Sequence, residues 1–317
     1  MAQLTVSDFI REWRSEVDTV KAHTSGSTGT PKEIQLPKTL MRRSARRTNL
    51  FFGIDAKARL HLCLSPDYIA GKMMIVRALE AGCELTCEEA GNNPLSQDGS
   101  QRRITLLAVV PSQLAELLDN PQRLRLVDNI LVGGSAIPPG MRGRLAKLPI
   151  PVWESYGMTE TASHVAMRRV TEDAMLPFRM MPGITCSLAD NGTLCIEGNG
   201  RCLTTTDCAE VLTPTTFRLL GRLDHAIISG GIKIHPLQAE AEAADILAPY
   251  QPCFITSVPD EKWGEKVVLA VLRAVPESLL HGLRARLGSV RAPKEIRVID
   301  RIPLSPSGKP LRPKLPK

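Results

Sequence analysis

A short stretch near the start of the chain concentrates side chains that can bind an anion. Between Thr24 and Lys32 it combines hydroxyl groups, two glycines and a lysine, and the strand-like run 33–36 follows. Glycines permit close backbone approach, successive N–H groups can point at one anion, and hydroxyls and an ammonium add donors. The stretch therefore suits a phosphate, although a plain surface turn has a similar composition. The candidate ligands are Thr24, Ser25, Gly26, Ser27, Thr28, Gly29 and Lys32.

A second group of reactive side chains follows an apolar strand-like run that ends near Ser155. In the next residues, the ring of Tyr156 could stack on a base, Thr159 could bond a phosphate, and Glu160 could hold Mg²⁺. The group is thus compatible with a bound nucleotide. The alternative is a strand-to-helix turn that Thr159 merely caps.

Two later stretches are weaker candidates. Residues 221–234 contain Arg222, Asp224 and the pair Gly230-Gly231. These residues could form a functional site, but a glycine hairpin with a salt-bridged arginine has the same composition. Residues 303–312 place Lys309 in a turn rich in Ser, Gly and Pro, and a disordered basic tail is the plainer interpretation.

The elements that must position these side chains follow two patterns. A helix is expected from Ser7 to about Val20, and strand-like and helix-like runs then alternate up to Ser155, which predicts a parallel α/β sheet. Ligands of such sheets collect beyond the carboxyl ends of the strands. From about Ile184 short strands and glycine turns predict β-hairpins, and beyond a boundary near 221–224 a small α+β domain is expected.

Composition restricts the partners. The 317 residues carry a formal net charge of +7, which favours anionic ligands. Nucleic acid is not expected, because the chain has neither an RNP-like aromatic motif nor a zinc finger. The eight cysteines occur singly, as expected for mostly buried free thiols in a reducing cytoplasm, and no apolar run is long enough to span a membrane.

Taken in order, the four stretches resemble the adenylate-forming superfamily of acyl-CoA synthetases, peptide-synthetase adenylation domains and firefly-type luciferases. The resemblance covers about residues 23–315. It implies an α/β AMP-binding domain over 1–222 with a β-rich subdomain, and a small mobile α+β domain over 223–317. It also implies an acid–thiol ligase that uses ATP, Mg²⁺, CoA and a small-molecule carboxylic acid. The oligomeric state stays open, a homodimer included.

The resemblance assigns a role to each stretch. The loop 24–32 would hold the β- and γ-phosphates of ATP, and Lys309 would contact the carboxylate and the α-phosphate. Thr159 would contact the α-phosphate, and Glu160 would be the Mg²⁺ ligand. The adenosine contacts implied are Gly133, Gly134, Ser135, Ser155, Tyr156, Gly157, Asp207 and Arg222. The implied hinge and CoA-tunnel residues are Asp224, Gly230, Gly231 and Lys233.

The chain departs from the family pattern at several positions. Glu33 and Thr206 stand where glycines are common, and Pro310 stands where an aliphatic residue is common. Little precedes the first loop, so a short form that lacks part of one subdomain is expected. Because the reactive side chains remain, the resemblance still implies an active enzyme.

The acid substrate is suggested by two cations, Lys72 and Arg77, in the apolar run 69–79. Arg77 matches the position where o-succinylbenzoate:CoA ligases, the menaquinone-pathway members of the family, carry an arginine that faces their diacid, and Ser163-His164 also looks similar to that group. One of the two cations is expected to reach the surface. Arg77 could instead form a salt bridge with Glu80 or a neighbour, which would leave the acid open. The alternatives are a ligase for another aromatic or short acid, and a nucleotide-binding protein without turnover.

Overall fold

The computed structural model describes residues 4–23, 33–96, 99, 101–303 and 311–316. The loop Thr24 to Lys32 and the predicted catalytic Lys309 lie outside these residues, as does Pro310. The chain divides into two compact units, the first formed by residues 1–137 and 144–170, and the second by 138–143 and 171–317.

The first unit begins with a helix and a hairpin. Helix α1 (Val6–Arg14) starts at Thr5, whose hydroxyl accepts a hydrogen bond from the backbone of Asp8. The predicted helix from Ser7 to Val20 is therefore wrong at both ends, because this capping box begins the helix earlier and Val20 belongs to a strand. That strand, β1 (Thr19–His23), pairs antiparallel with β2 (Glu33–Pro37).

A mostly parallel sheet follows, as the alternation of strand-like and helix-like runs predicts. Its strands lie in the order β4-β3-β5-β6-β7-β8, and all neighbours are parallel except β7 and β8. Strands β3, β5 and β6 are buried along their whole length, as strands covered on both faces must be. The elements are α2 (Lys38–Phe52), β3 (Arg59–Leu62), α3 (Ile69–Ala81), β4 (Glu84–Cys87), β5 (Leu106–Val109), α4 (Pro111–Asp119), β6 (Ile130–Val132), α5 (Pro139–Ala146), β7 (Val152–Gly157) and β8 (His164–Arg169).

The second unit contains the predicted β-hairpins. Its antiparallel strands are ordered β10-β11-β12-β13-β9. Asn199 and Gly200 both have positive φ, at 58° and 73°, which suits a tight hairpin turn between β11 and β12. The strands are β9 (Phe178–Met180), β10 (Ile184–Leu188), β11 (Thr193–Gly198), β12 (Arg201–Thr213) and β13 (Thr216–Arg222).

The same unit ends in an α+β arrangement. A sheet ordered β15-β14-β17-β16, with β18 parallel to β17, packs against helices around a core that includes Ile255, Leu269 and Leu283. That residues 223–317 move as a separate domain stays a prediction. The elements are β14 (Ile227–Ser229), β15 (Ile232–Ile234), α6 (Pro236–Glu242), α7 (Ala244–Leu247), β16 (Cys253–Asp260), β17 (Gly264–Val271), α8 (Ser278–Arg291) and β18 (Glu295–Val298).

The cysteines are free thiols and most of them are buried, as predicted. Within the described ranges, no helix is both long enough and apolar enough to cross a bilayer.

Candidate functional site

The hydroxyl of Thr159 lies beside the point where the first candidate loop leaves the fold. It donates a hydrogen bond to the backbone oxygen of His23 at 3.4 Å. His23 pairs with Glu33 at the end of the antiparallel pair of β1 and β2. Thr159 of the second candidate stretch therefore lies beside the strand that precedes the first stretch, whose residues 24–32 lie outside the described residues.

A close backbone crossing fixes the turn that carries Thr159 and Glu160. A Cβ added at Gly157 would lie 2.4 Å from the backbone oxygen of Ser163, so only glycine fits there. The hydroxyl of Thr161 donates to that same oxygen at 2.6 Å and closes the turn. Glu160 is exposed on this turn, as a carboxylate that binds a hydrated cation should be, whereas the ring of Tyr156 is buried.

The segment proposed to border adenine lies next to this strand. Gly133 follows β6, and a Cβ at Gly133 would lie 2.9 Å from the hydroxyl of Ser155. That hydroxyl donates to the backbone oxygen of Val132 at 2.9 Å. The structure thus brings Gly133, and with it Gly134 and Ser135, against the strand that carries Ser155 and Tyr156.

Arg77 is a buried cation without an acidic partner. Its residue is 2% exposed, and one terminal nitrogen donates to the hydroxyl of Ser163 at 2.7 Å while the other contacts the sulfur of Met74 at 3.4 Å. No carboxylate in the described part of the chain forms an ion pair with it, and its Nε has no hydrogen-bond partner there. Burial lowers the pKa of Arg77 to about 10, so it remains charged at neutral pH.

The alternative in which Glu80 neutralises Arg77 is wrong. Glu80 forms ion pairs with Arg42 and Arg46 instead, at 3.5 and 2.9 Å. The expectation that one of the two cations of α3 reaches the surface is also wrong, because Lys72 is 3% exposed and its ammonium lies 4.7 Å from the ring centroid of Phe9. Lys72 therefore faces α1 and is not part of the group around Arg77.

His164 is held neutral in the same group by a directed chain of hydrogen bonds. The hydroxyl of Thr48 donates to the backbone oxygen of Ser44, so it accepts from Nε2 of His164 at 3.2 Å. The other ring nitrogen then accepts from the hydroxyl of Ser163 at 3.3 Å, which in turn accepts from Arg77. Burial, assisted by the charges of Arg77 and Arg47, keeps the pKa of His164 well below its usual value.

Thr48 is a contact that the sequence prediction missed. The available signal was weak: Ser44 and Thr48 are polar residues one turn apart in a helix that also carries four arginines.

The second unit holds the residues predicted to contact ribose. Asp207 and Arg222 are directly opposed across β12 and β13, so they share one face. The guanidinium of Arg222 also binds both carboxylate oxygens of Asp224 at 2.9 Å. Although burial by itself would raise it, the pKa of Asp224 is lowered by the hydrogen bonds and charge of Arg222. The salt-bridged arginine of the plainer interpretation is thus present.

The predicted CoA-tunnel glycines form a tight hairpin turn between β14 and β15. Gly230 and Gly231 have φ values of 57° and 78°, and a Cβ at Gly230 would lie 2.8 Å from the ring of Trp263. The backbone N–H of Gly230 donates to the oxygen of Trp263 at 2.8 Å, and Lys233 is exposed on β15. The glycine hairpin is confirmed, whereas its role in CoA binding stays a prediction.

Comparison with known proteins identifies similar sequences and folds. A family described as AMP-binding enzyme matches residues 20–201, and the AMP-binding enzyme C-terminal domain matches residues 247–309. A probable 2-succinylbenzoate–CoA ligase of Mycobacterium tuberculosis is 29% identical over 90% of this chain and 80% of its own. A feruloyl-CoA synthase of Amycolatopsis is 27% identical over 92% of this chain and 67% of its own.

Two solved structures have a similar fold. An acyl-CoA synthetase (AMP-forming)/AMP-acid ligase II-like protein from Dyadobacter fermentans is 32% identical, covers 96% of this chain and 90% of its own, and has a TM-score of 0.63. An O-succinylbenzoate CoA synthetase from Bacillus subtilis, in complex with ATP and magnesium ion, is 22% identical, covers 92% and 68%, and has a TM-score of 0.76. At that lower identity the likeness concerns the fold alone.

Proposed function

Because this chain belongs to the AMP-binding enzyme family, we propose that it is an ATP-dependent acid–CoA ligase whose acid is o-succinylbenzoate. The predicted superfamily and fold class are confirmed by the family match and by the fold of the solved relatives. The family match does not specify the acid, since a relative named for a different aromatic acid also matches.

The observation that carries the choice of acid is the buried Arg77. An uncompensated charge is costly inside a protein, and Arg77 has a free Nε and no acidic partner among the described residues. A substrate that brings a second carboxylate would offset this cost and form charge-assisted hydrogen bonds. A monocarboxylic acid offers nothing at this position, so the group around Arg77 favours a diacid.

Adenylation would use the first unit together with the loop 24–32 and Lys309. A carboxylate oxygen of the acid attacks the α-phosphorus of ATP, the bond to the β-phosphate oxygen breaks, and pyrophosphate leaves. Thr159 would donate to the α-phosphate, and Lys309 would neutralise charge that develops there. The exposed Glu160 fits a metal ligand, and the ion it would hold offsets the negative charge of the phosphates.

Thioester formation would follow with CoA. Its sulfur attacks the acyl carbonyl, loses its proton, and displaces AMP. Asp207 and Arg222 would hold the ribose, and the domain 223–317 would turn about Asp224 to bring Gly230, Gly231 and Lys233 to the pantetheine arm. At Gly231, where a Cβ would meet nothing within 4 Å, the bare backbone leaves room for such a narrow arm.

The test is acid-dependent exchange of labelled pyrophosphate into ATP, with a panel of o-succinylbenzoate, benzoate and ferulate. Wild type should exchange best with o-succinylbenzoate. Arg77→Met should lose activity mainly with the diacid, about 100-fold or more, in keeping with loss of a charged contact. Lys309→Ala should lose exchange with every acid.

The outcomes separate three hypotheses. Exchange that is equally strong with benzoate or ferulate would remove the role of Arg77 and favour a ligase for simpler aromatic acids. Absence of exchange with any acid would leave a nucleotide-binding protein without turnover. Lys72→Met is the matched control, because Lys72 is a buried cation of the same helix on another side, and we expect it to leave the preference among acids unchanged.

A further inference from the structure

The hairpin of β11 and β12 brings together three potential metal ligands that the proposed ligase reaction does not use. Cys195 lies on β11, and Glu197 opposes Cys202 across the pair. The two sulfurs are 2.9 Å apart, and one carboxylate oxygen of Glu197 lies with both of them inside a span of 4.8 Å. Across the described ranges, this is the only trio of such side chains whose ligand atoms converge so closely.

The backbone fixes this convergence. Side chains two residues apart on a strand point to the same face, so Cys195 and Glu197 share a face, and Cys202 joins it opposite Glu197. The tight turn at Asn199 and Gly200 sets this register. Cys195 is buried, whereas Glu197 and Cys202 are exposed. One ligand of the site is therefore held by packing, and the other two are accessible to a metal ion from solvent.

A disulfide is the other chemistry that two close sulfurs suggest, and the register argues against it. Cys195 is opposed by Thr204, so Cys195 and Cys202 are diagonal neighbours. Diagonal Cα atoms lie about 7–8 Å apart, whereas disulfides usually span about 4.4–6.8 Å. A disulfide also gives no role to the carboxylate of Glu197.

We propose that Cys195, Glu197 and Cys202 bind one Zn²⁺ ion. Thiolate and carboxylate are both zinc ligands, and a mixed set suits this borderline ion better than the soft Cu⁺ or the hard Mg²⁺. Binding exchanges the two thiol protons for the cation and leaves a fourth position for water. With Zn–S bonds of about 2.3 Å at a tetrahedral angle, the sulfurs would separate to about 3.7 Å, which the exposed side chain of Cys202 can accommodate.

The test measures metal binding by the full chain in the absence of ATP, acid and CoA, so it is independent of the ligase proposal. Reduced, chelator-treated protein is titrated with Co²⁺, which reports thiolate ligation by a charge-transfer band, and Zn²⁺ is then added to displace it. We expect one equivalent per chain. Mutation of a residue that merely supports a metal ligand weakens metal binding by roughly 10- to 100-fold. Cys202→Ser removes a ligand itself and should weaken binding by more than this. Glu197→Gln should weaken binding about 10-fold.

Cys87→Ser is the control, because Cys87 is also exposed but lies on β4 in the first unit. It should bind Co²⁺ as wild type does, and circular dichroism checks that each variant folds. The proposal is overturned if reduced wild type gives no charge-transfer band, or if either Cys202→Ser or Glu197→Gln binds Co²⁺ as tightly as wild type. A Cys195–Cys202 disulfide in oxidised protein, combined with no Co²⁺ binding by reduced protein, would identify a redox pair instead.

Discussion

Replacing Arg77 by methionine should leave the fold as stable as wild type or more stable, even though it removes a buried side chain. Burial lowers the pKa of Arg77 to about 10, which is well below the ordinary value of an arginine. Each pKa unit corresponds to about 1.4 kcal/mol, so the folded state carries a penalty of about 3 kcal/mol for this charge. Because the unfolded chain holds the proton more tightly, the penalty is fully present below about pH 10 and declines as the pH rises above that value.

Part of this gain is offset by lost contacts. The hydrogen bond from Arg77 to Ser163 is charge-assisted and contributes about 1.5–3 kcal/mol. Methionine keeps the apolar packing of the side chain, and Ser163 is only half-buried, so its hydroxyl can bond water or His164. We therefore expect a free energy of unfolding between that of wild type and about 1.5 kcal/mol above it, as for other buried charges replaced by apolar residues.

The assay is urea unfolding at pH 7.5, followed by tryptophan fluorescence in a Trp263→Phe background. The remaining tryptophans, Trp13 and Trp153, both lie in the unit that contains Arg77. Arg59→Met is the matched control, because Arg59 is equally buried but is paired with Glu84 and bonded to the backbone oxygen of Arg102. That variant should lose stability, by about 1 kcal/mol or more.

Addition of o-succinylbenzoate and ATP gives the opposite ranking. At about 100 times its dissociation constant a ligand adds about 2.7 kcal/mol to the stability of the protein that binds it, and Arg77→Met should gain much less than wild type. If, in the absence of ligand, Arg77→Met is destabilised as strongly as Arg59→Met, then Arg77 stabilises the folded protein by itself. The buried charge of Arg77 would then give no reason to favour a diacid.

Two further predictions concern the residues beside Arg77. His164→Gln should change the pH dependence of stability: because folding keeps the pKa of His164 low, wild type loses up to about 1.4 kcal/mol per pH unit below pH 6.5. The variant should lack this component, so unfolding at pH 7.5 and 5.5 that shows the same loss in both proteins would contradict the neutral histidine. Gly157→Ala should destabilise the fold by about 1–3 kcal/mol, because its Cβ would meet the backbone at Ser163. Gly91→Ala, where a Cβ meets nothing within 4 Å, should be near neutral in the same urea assay, and equal effects would refute the steric argument.

Local patterns allowed much of the fold to be predicted, and the errors have physical causes. The predicted alternation of strand-like and helix-like runs up to Ser155 agrees with the observed elements, because the hydrophobic period differs between the two kinds of run. Helix α1 was extended too far, since the apolar spacing through Val20 also fits a strand, and pairing with β2 decides between them. Both the burial of Lys72 and the pairing of Glu80 depend on neighbouring helices that a single sequence does not position.

The cysteines show the same limit in another form. Separation along the chain makes Cys83 and Cys87 the nearest pair, yet Cys195 and Cys202 have the contacting sulfurs. The glycine turn between them was recognised as a hairpin, and its register was sufficient to place Cys202 diagonal to Cys195. The signal was therefore present, but it lay in the pairing of the strands.

The group around Arg77 also explains how specificity for a diacid could arise. The discrimination would come from the cost of leaving Arg77 unpaired, and not from high affinity for the rest of the acid. His164 is neutral and accepts a hydrogen bond from the hydroxyl of Ser163, so it adds no second charge. The group thus presents one cation, and a substrate that fills the site without supplying an anion leaves that cation unpaired. Sites that leave buried polar groups unpaired reject the wrong substrate by about 10⁴- to 10⁵-fold, whereas apolar pockets discriminate only by about 10- to 200-fold. Discrimination against benzoate should therefore be far larger than the extra apolar contacts of the succinyl chain can provide. In Arg77→Met it should fall to the roughly 10- to 200-fold that is typical of apolar pockets.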